Sequence, residues 1–377
     1  MNIKKTIRVM ALCGVMVLSG LGVRVEAAGY RMPISFAGYT NQAETLTDFP
    51  VLVVLSNNVG GSAFDYSHFL SPAGWDLRFR DAGDTTDLNY EIESWNTNGA
   101  SHVWVRVPEL AGDGATAILA KWGDSDQSTQ LDCTTNGAVW NAGYKGVWHF
   151  PDGVTLGGGD ATTNRNNGGL SNGVSAASGN IDGAAGFDGA NDYVDIGRQL
   201  LSGSDNFTIS LWMKSGGSQN TYACPISQGH GNGGCSGVVL QYGWPSATNL
   251  ALAYGDGSGW RSVGFGYNLA ADTAWHFITA TKSGSTMTTF KDGIPVAQNS
   301  SYTLVYGTYN LNIGRDYFNT DSNHRTFKGL IDEVRVSSVA HSSNWVWACY
   351  QNTASNTAFN SYGTVEPPRK GPVVFMD

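Results

Sequence analysis

The chain has 377 residues, room for two domains of ordinary size, each with its own core. Only 14% of residues are charged, while Gly fills 49 positions and Trp, Tyr and Phe fill 12, 16 and 15. That mixture favours many short strands and tight turns over helices; the formal charge of -9, with no cluster of Lys and Arg, excludes a nucleic-acid surface.

The first stretch reads as a secretory signal over residues 1–27. Lys4, Lys5 and Arg8 precede an apolar run from Val9 to Leu21, and Val25-Glu-Ala27 supplies the cleavage positions. The run falls short of the ~20 residues that span a bilayer. No membrane span is therefore expected after cleavage, and the protein is expected to be secreted, at the cell surface or in the periplasm. Cys13 leaves with the leader, so Cys133, Cys224, Cys235 and Cys349 remain. An even count in an oxidising compartment suggests disulfides. Of three connectivities, the preferred one joins Cys224 to Cys235 across a Gly-rich loop and Cys133 to Cys349 across the second domain.

From Tyr30 to about Gln130 strand-like runs follow one another, among them Phe49-Pro-Val-Leu-Val-Val-Leu55, Leu88-Asn-Tyr-Glu-Ile-Glu93, Val103-Trp-Val-Arg-Val107 and Ala117-Ile-Leu-Ala120. Leu88, Tyr90 and Ile92 alternate with Asn89, Glu91 and Glu93, the period of a strand with one face buried and one wet. Glu91 and Glu93 share a face about 7 Å apart, a spacing that paired-carboxylate hydrolysis can use. Their face is expected to be the solvent side of a small sandwich, which leaves them as solvated strand carboxylates. The segments Tyr90-Glu-Ile-Glu-Ser-Trp95, His102-Val-Trp-Val-Arg-Val-Pro108 and Lys121-Trp-Gly123 resemble an uncharacterised bacterial exported domain often placed just before a laminin-G-like domain. That resemblance implies no activity.

After a polar link from Ser125 to about Asn141 come Tyr144-Lys-Gly-Val-Trp-His-Phe150, Gly186-Phe-Asp-Gly-Ala-Asn-Asp-Tyr-Val-Asp-Ile196, Phe207-Thr-Ile-Ser-Leu-Trp-Met-Lys214, Trp275-His-Phe-Ile-Thr-Ala280 and Phe327-Lys-Gly-Leu-Ile-Asp-Glu-Val-Arg-Val336. In this order they resemble the laminin-G-like (concanavalin A-like) jelly roll over roughly residues 144–350. The expected fold is all-β: two antiparallel β-sandwich domains, 28–130 and 131–362, the second a concanavalin A-like jelly roll, then a flexible tail over 363–377.

For catalysis the pattern offers little. Asp332 and Glu333 are strand neighbours and point to opposite faces if the strand is regular, as do Asp192 and Asp195. There is no G-x-S-x-G and no H-E-x-x-H, and Gly229-His-Gly-Asn-Gly-Gly234 matches G-x-G-x-x-G without the βαβ context that motif needs. Asp160, Asn164 and Asn166 form an oxygen-rich turn of the kind calcium favours. The resemblance to calcium-binding jelly rolls implies Asp332, or Asp188 and Asp192, as completing ligands of a structural calcium. The same residue types cap turns in most loops.

Sugars are held by aromatic rings flanked by amides and carboxylates. Two stretches fit: Tyr242 and Trp244 with Tyr254, Asp256 and Trp260, and Asp316, Tyr317 and Asn319 with Asn323. Trp148, Trp212 and Trp275 lie in strand-like runs and are expected in the core. The reading is therefore a non-catalytic exported protein whose second domain recognises carbohydrate or polysaccharide; the alternative is a structural or protein-adhesion component of a surface, with an enzyme behind both.

Overall fold

The computed structural model describes residues 29–141, 143–151, 156–203, 206–229, 235–300, 303–316 and 325–368. The expected signal, residues 1–27, lies outside them. Among the described residues the fold is all-β apart from four single 3-10 turns and two short α-helices near the end. The first part comprises β1 (Tyr30–Ser35), β2 (Leu46–Leu55), β3 (Arg78–Asp81), β4 (Tyr90–Ser94), β5 (Ser101–Leu110) and β6 (Ala117–Trp122). The second begins with β7 (Tyr144–Trp148), β8 (Gly169–Ser171), β9 (Ser175–Ser178), β10 (Gly183–Asp188), β11 (Tyr193–Asp195) and β12 (Phe207–Ser215). It continues with β13 (Ile226–Gly229), β14 (Gly237–Tyr242), β15 (Asn249–Gly255), β16 (Trp260–Asn268), β17 (Trp275–Ser283), β18 (Thr286–Lys291), β19 (Ile294–Asn299), β20 (Asn312–Ile313) and β21 (Lys328–Ser337). Helices α1 (Ser343–Ala354) and α2 (Asn356–Phe359) and strand β22 (Ser361–Tyr362) follow.

The first sandwich packs the sheet β22-β1-β6-β3 against β2-β5-β4. Val51, Val53 and Leu55 of β2, Val103, Val105 and Val107 of β5 and Tyr90 of β4 fill its core. Leu52 and Trp104 point the opposite way and are also buried, in a separate cluster with Val139, Trp140, Tyr144 and Val147. A strand buried on both faces reads as an unbroken apolar run, and Phe49 to Leu55 has that form.

In the second sandwich a seven-stranded sheet, β16-β15-β14-β13-β20-β11-β8, faces an eight-stranded one in the order β19-β18-β17-β12-β21-β10-β9, with β7 also paired to β21. The core between them holds Trp148, Phe187, Leu211, Leu240, Leu252, Phe265 and Ile331. Strand β21 changes partner midway: Lys328 to Ile331 pair with β10, and Val334 to Ser337 pair with β7. Asp332 and Glu333 occupy the break, where the pairing with β12 also slips and Glu333 takes a left-handed φ of 52°. A bulge of this kind redirects side chains, and it buries both acids, contrary to the regular alternation expected of them.

The alternation patterns place no helix after β21, yet α1 forms and docks on the first sandwich. Ser342 caps it, its Oγ accepting the Trp345 N–H at 3.1 Å. Trp345, Val346, Ala348 and Cys349 enter the first core together with Trp212, Phe277 and Phe290 from the outer face of the second domain. Strand β22 then pairs with β1, and Arg31 meets Glu366 in a 2.6 Å ion pair, so the start of the expected flexible tail is tied down. Residues 369–377 lie outside the described set.

One residue of β2 anchors this return. The Leu52 N–H donates to Asn352 Oδ1 at 2.6 Å, and its carbonyl accepts from Asn352, Asn356 and Asn360 Nδ2 at 3.2, 2.8 and 2.8 Å. Asn352→Ala orphans the buried N–H and is expected to cost about 1–3 kcal/mol, whereas Asn360→Ala leaves the carbonyl two other donors and costs less. Urea midpoints of the two variants test that order.

Candidate functional site

The expected aromatic platform is not one surface. Antiparallel pairing sets Tyr242 opposite Leu250 and Gly255 opposite Trp260, so Trp244 and Trp260 stand at opposite ends of β15, about 20 Å apart at strand rise. Both rings are half-buried, whereas Tyr242 and Tyr254 belong to the core. Asp256 closes the β15–β16 turn, accepting from Ser258 and Gly259 and pairing with Arg261 at 2.9 Å. In the second stretch Asp316 is buried against Arg325 at 2.8 Å. Tyr317, Asn319 and Asn323 lie outside the described residues. Trp148 and Trp212 are buried as expected, and Trp275 is partly buried against the first core.

Of the four expected calcium ligands, Asp160, Asn164 and Asn166 share one turn and Asp332 holds another. Asp160 Oδ1 accepts from the Val147 and Thr162 N–H groups, and its Oδ2 from Thr162 Oγ1 and the Asn166 N–H, all at 2.7–3.0 Å. Asn164 and Asn166 turn their amides to the Tyr144 and Lys145 carbonyls. Asp332 holds a different turn, its Oδ2 accepting from Asn180 and Ile181 at 2.9 Å each. The hydrogen bonds of these groups run mainly to backbone, the turn-capping role, while Asp332 Oδ1 is buried without a partner.

The cysteines are free. Cys224 precedes β13 where Ile226 pairs with Leu240, while Cys235 sits at the other end of the hairpin, beyond the Gly229 and Gly237 pair. The separation, about 17 Å along the strands, exceeds the ~7 Å a disulfide bridges. Cys133 borders the groove by Leu88 and Asn89, and Cys349 lies on α1 beside Arg335. Burial pushes the Cys349 thiol up to about 11, so it is a packing group and not a nucleophile.

The structure does create an open groove of about 560 Å³, where the two segments that carry the family resemblance meet at the ends of β10, β12 and β21. Lys214, Lys328, Asp188, Asp192 and Asn172 line it, with Asp188 and Lys328 directly paired across β10 and β21. Asp192 Oδ2 accepts the Asp188 N–H at 3.0 Å, and its Oδ1 is buried without a partner. Gly173 and Gly329 line the groove at φ of 114° and 145°, a region that favours glycine, and at Gly329 a Cβ would collide with the Lys214 carbonyl and the Phe327 ring.

A second arrangement went unseen in the sequence. Glu91 and Glu93 do not face solvent: their side chains are 18% and 1% exposed, and they meet the second domain. Tyr90 and Ile92 turn to the first sandwich's core, so the alternate face of β4 points at β7 and β21. There His149 Nδ1 contacts Glu333 Oε1 and lies 3.6 Å from Glu93 Oε2, and His149 Nε2 lies 3.9 Å from Glu91 Oε2. Trp104 Nε1 donates to Glu93 Oε2 at 2.7 Å and Trp140 Nε1 to Glu91 Oε2 at 2.6 Å. The Arg335 guanidinium donates to Glu333 Oε2 at 2.5 Å and lies over the Trp104 and Trp140 rings at 4.3 and 4.9 Å. Burial and the nearby Glu333 push Glu93 up to about 8; burial would raise Glu333 too, but His149 and Arg335 outweigh it and hold that group down to about 2.

With this geometry in place, comparison defines the class. Residues 188–346 match the concanavalin A-like lectin/glucanases superfamily, and residues 73–141 match a domain of unknown function (DUF2341). The chain thus carries a concanavalin A-like domain behind that N-terminal domain, as the motifs in the sequence imply. Among solved structures, domain 4 of AbnA, a GH43 extracellular arabinanase from Geobacillus stearothermophilus in complex with arabinotriose, is 19% identical with a TM-score of 0.46, over 55% of this chain and 98% of that one. The binding domain of Paraclostridial Mosquitocidal Protein 1 is 14% identical, TM-score 0.45, over 55% of this chain and 52% of that one. The botulinum neurotoxin serotype D binding domain is 19% identical, TM-score 0.43, over 57% and 52%. The chain thus spans about half the length of each toxin domain. A comparison with curated proteins gave no match. No helix among the described residues is long and apolar enough to cross a membrane.

Proposed function

We propose that the chain is a non-catalytic binding protein that works outside the cytoplasm and recognises a carbohydrate through its concanavalin A-like domain. The observation that carries this reading is the groove at the ends of β10, β12 and β21. Two ammonium groups, two carboxylates and an amide line a trough of about 560 Å³. Such a wall offers donors and acceptors to a hydroxyl-rich chain along its length, and the unpartnered Asp192 Oδ1 is an acceptor in search of a hydroxyl. In this groove the Asp188 N–H donates to Asp192 Oδ2, so the two acids form one capped turn, which speaks for a binding wall over a separated acid and nucleophile.

The test is retention on immobilised polysaccharides and on a glycan array, for the wild-type chain and a Lys214→Ala, Lys328→Ala double variant. Each charged hydrogen bond lost is worth about 1.5–3 kcal/mol, so the variant is expected to bind at least tenfold more weakly with its melting unchanged. Silence across the array, with specific capture of a defined surface protein, would replace the carbohydrate reading with adhesion.

A further inference from the structure

The buried contact between the domains gathers three glutamate carboxylates around one imidazole and one guanidinium. Glu91, Glu93 and Glu333 lie against His149, and Glu333 also against Arg335, in a region where the Glu93 and Glu333 side chains are each 1% exposed and His149 is 7% exposed. Buried polar groups are costly to leave without a partner. Two acceptor-type atoms in the cluster, Glu93 Oε1 and His149 Nε2, are buried without a hydrogen-bond partner. A proton placed on Glu93 Oε1 would be a buried donor with nothing to accept it, whereas a cation takes up lone pairs directly.

The three residues at the centre are each held from behind. Trp104 fixes Glu93 through Oε2, and Arg335 fixes Glu333 through Oε2, in each case leaving Oε1 uncommitted to that donor. His149 presents Nδ1 to both carboxylates and turns Nε2 toward Glu91, which Trp140 in turn orients. A carboxylate behind the far nitrogen of a histidine, and donors behind each carboxylate, are the supports that orient groups around an ion. One donor atom from each of Glu93, His149 and Glu333 lies within 4.8 Å of the other two.

We propose that Glu93, His149 and Glu333 bind a first-row divalent cation of the zinc type, which staples the N-terminal domain to the concanavalin A-like domain. One imidazole nitrogen with two carboxylates suits zinc, at about 2.0–2.2 Å per ligand, and does not suit calcium, which takes about six to eight oxygens. The site is closed, with Trp104 and Trp140 as walls, so the ion's role is to hold the domains and not to activate water for an outside substrate.

The test uses the full chain. Elemental analysis after purification without chelator is expected to give one zinc-type ion per chain, and metal-stripped protein is expected to regain its melting temperature on adding Zn²⁺ but not Ca²⁺. Co²⁺ added to stripped protein should give ligand-field absorption and quench the fluorescence of Trp104 and Trp140. Glu93→Gln keeps the side-chain shape and is expected to weaken Co²⁺ binding by more than tenfold; Trp104→Phe removes only the supporting N–H and weakens it about 10–100-fold. A folded wild-type chain that holds no ion, ignores chelator and Zn²⁺ and gives no Co²⁺ spectrum overturns the proposal, as does a Glu93→Gln chain that binds metal as tightly as wild type.

Discussion

Arg335→Met will lower stability by about 3–5 kcal/mol, the cost of leaving a buried carboxylate without its partner. The guanidinium is the group that donates two hydrogen bonds to Glu333 Oε2, at 2.5 and 3.2 Å, while stacking over two indoles. Methionine fills much of the space between the rings but neutralises nothing. Adding Glu333→Gln should therefore recover part of the loss, with a coupling of about 0.5–3 kcal/mol between the two positions. Urea midpoints of the two single variants and the double variant measure it; strictly additive effects would mean that the ion pair is not what Arg335 contributes.

Trp148→Ala is expected to cost a similar amount, about 3–5 kcal/mol, for a different reason. This ring is fully buried between the sheets of the second sandwich, and its Nε1 donates to the Asn166 carbonyl at 3.1 Å. Truncation leaves a cavity that the surrounding strands cannot close. Trp148→Phe keeps most of the volume and loses the hydrogen bond, so it should cost only about 1–3 kcal/mol. If the two substitutions cost the same, the bond to the Asn166 loop, and not the packing, is what Trp148 contributes.

The core was legible in the sequence where alternation met strong strand formers. The apolar runs around Val51, Val103, Leu211 and Phe277 became strands, and Trp148 and Trp212 went inside. The polar face of β4 misled because alternation reports only that a face is polar. A solvated face and a charged seam between domains have the same period, and what separates them, the chain that lies opposite, is set by contacts 58 to 240 positions away that no local window contains. The aromatic platform failed on a similar ground: Trp244 and Trp260 are near in sequence but belong to successive turns of a meander, which fall at opposite ends of the strand between them. Parity of cysteines likewise carries no distance, and the β13–β14 hairpin supplies the distance that forbids the Cys224 and Cys235 bridge. The bulge at Glu333 had no local signal at all, since a left-handed φ at a glutamate inside a strand is imposed by the change of neighbour from β10 to β7.

The pairing of β22 with β1 bears on the order in which the molecule can be made. The Val54 N–H donates to the Tyr362 hydroxyl, 308 positions later, and Ile34 pairs with that same tyrosine. The N-terminal half leaves the ribosome first, yet one rim of its sheet stays open and its seam with the other half stays bare until nearly the whole described chain has been synthesised. Open strand rims recruit other chains, and distant pairings form slowly. Vectorial folding therefore stops one strand short: the half made first is the last to be completed, and a chaperone or a crowded nascent chain meets it in that unfinished form.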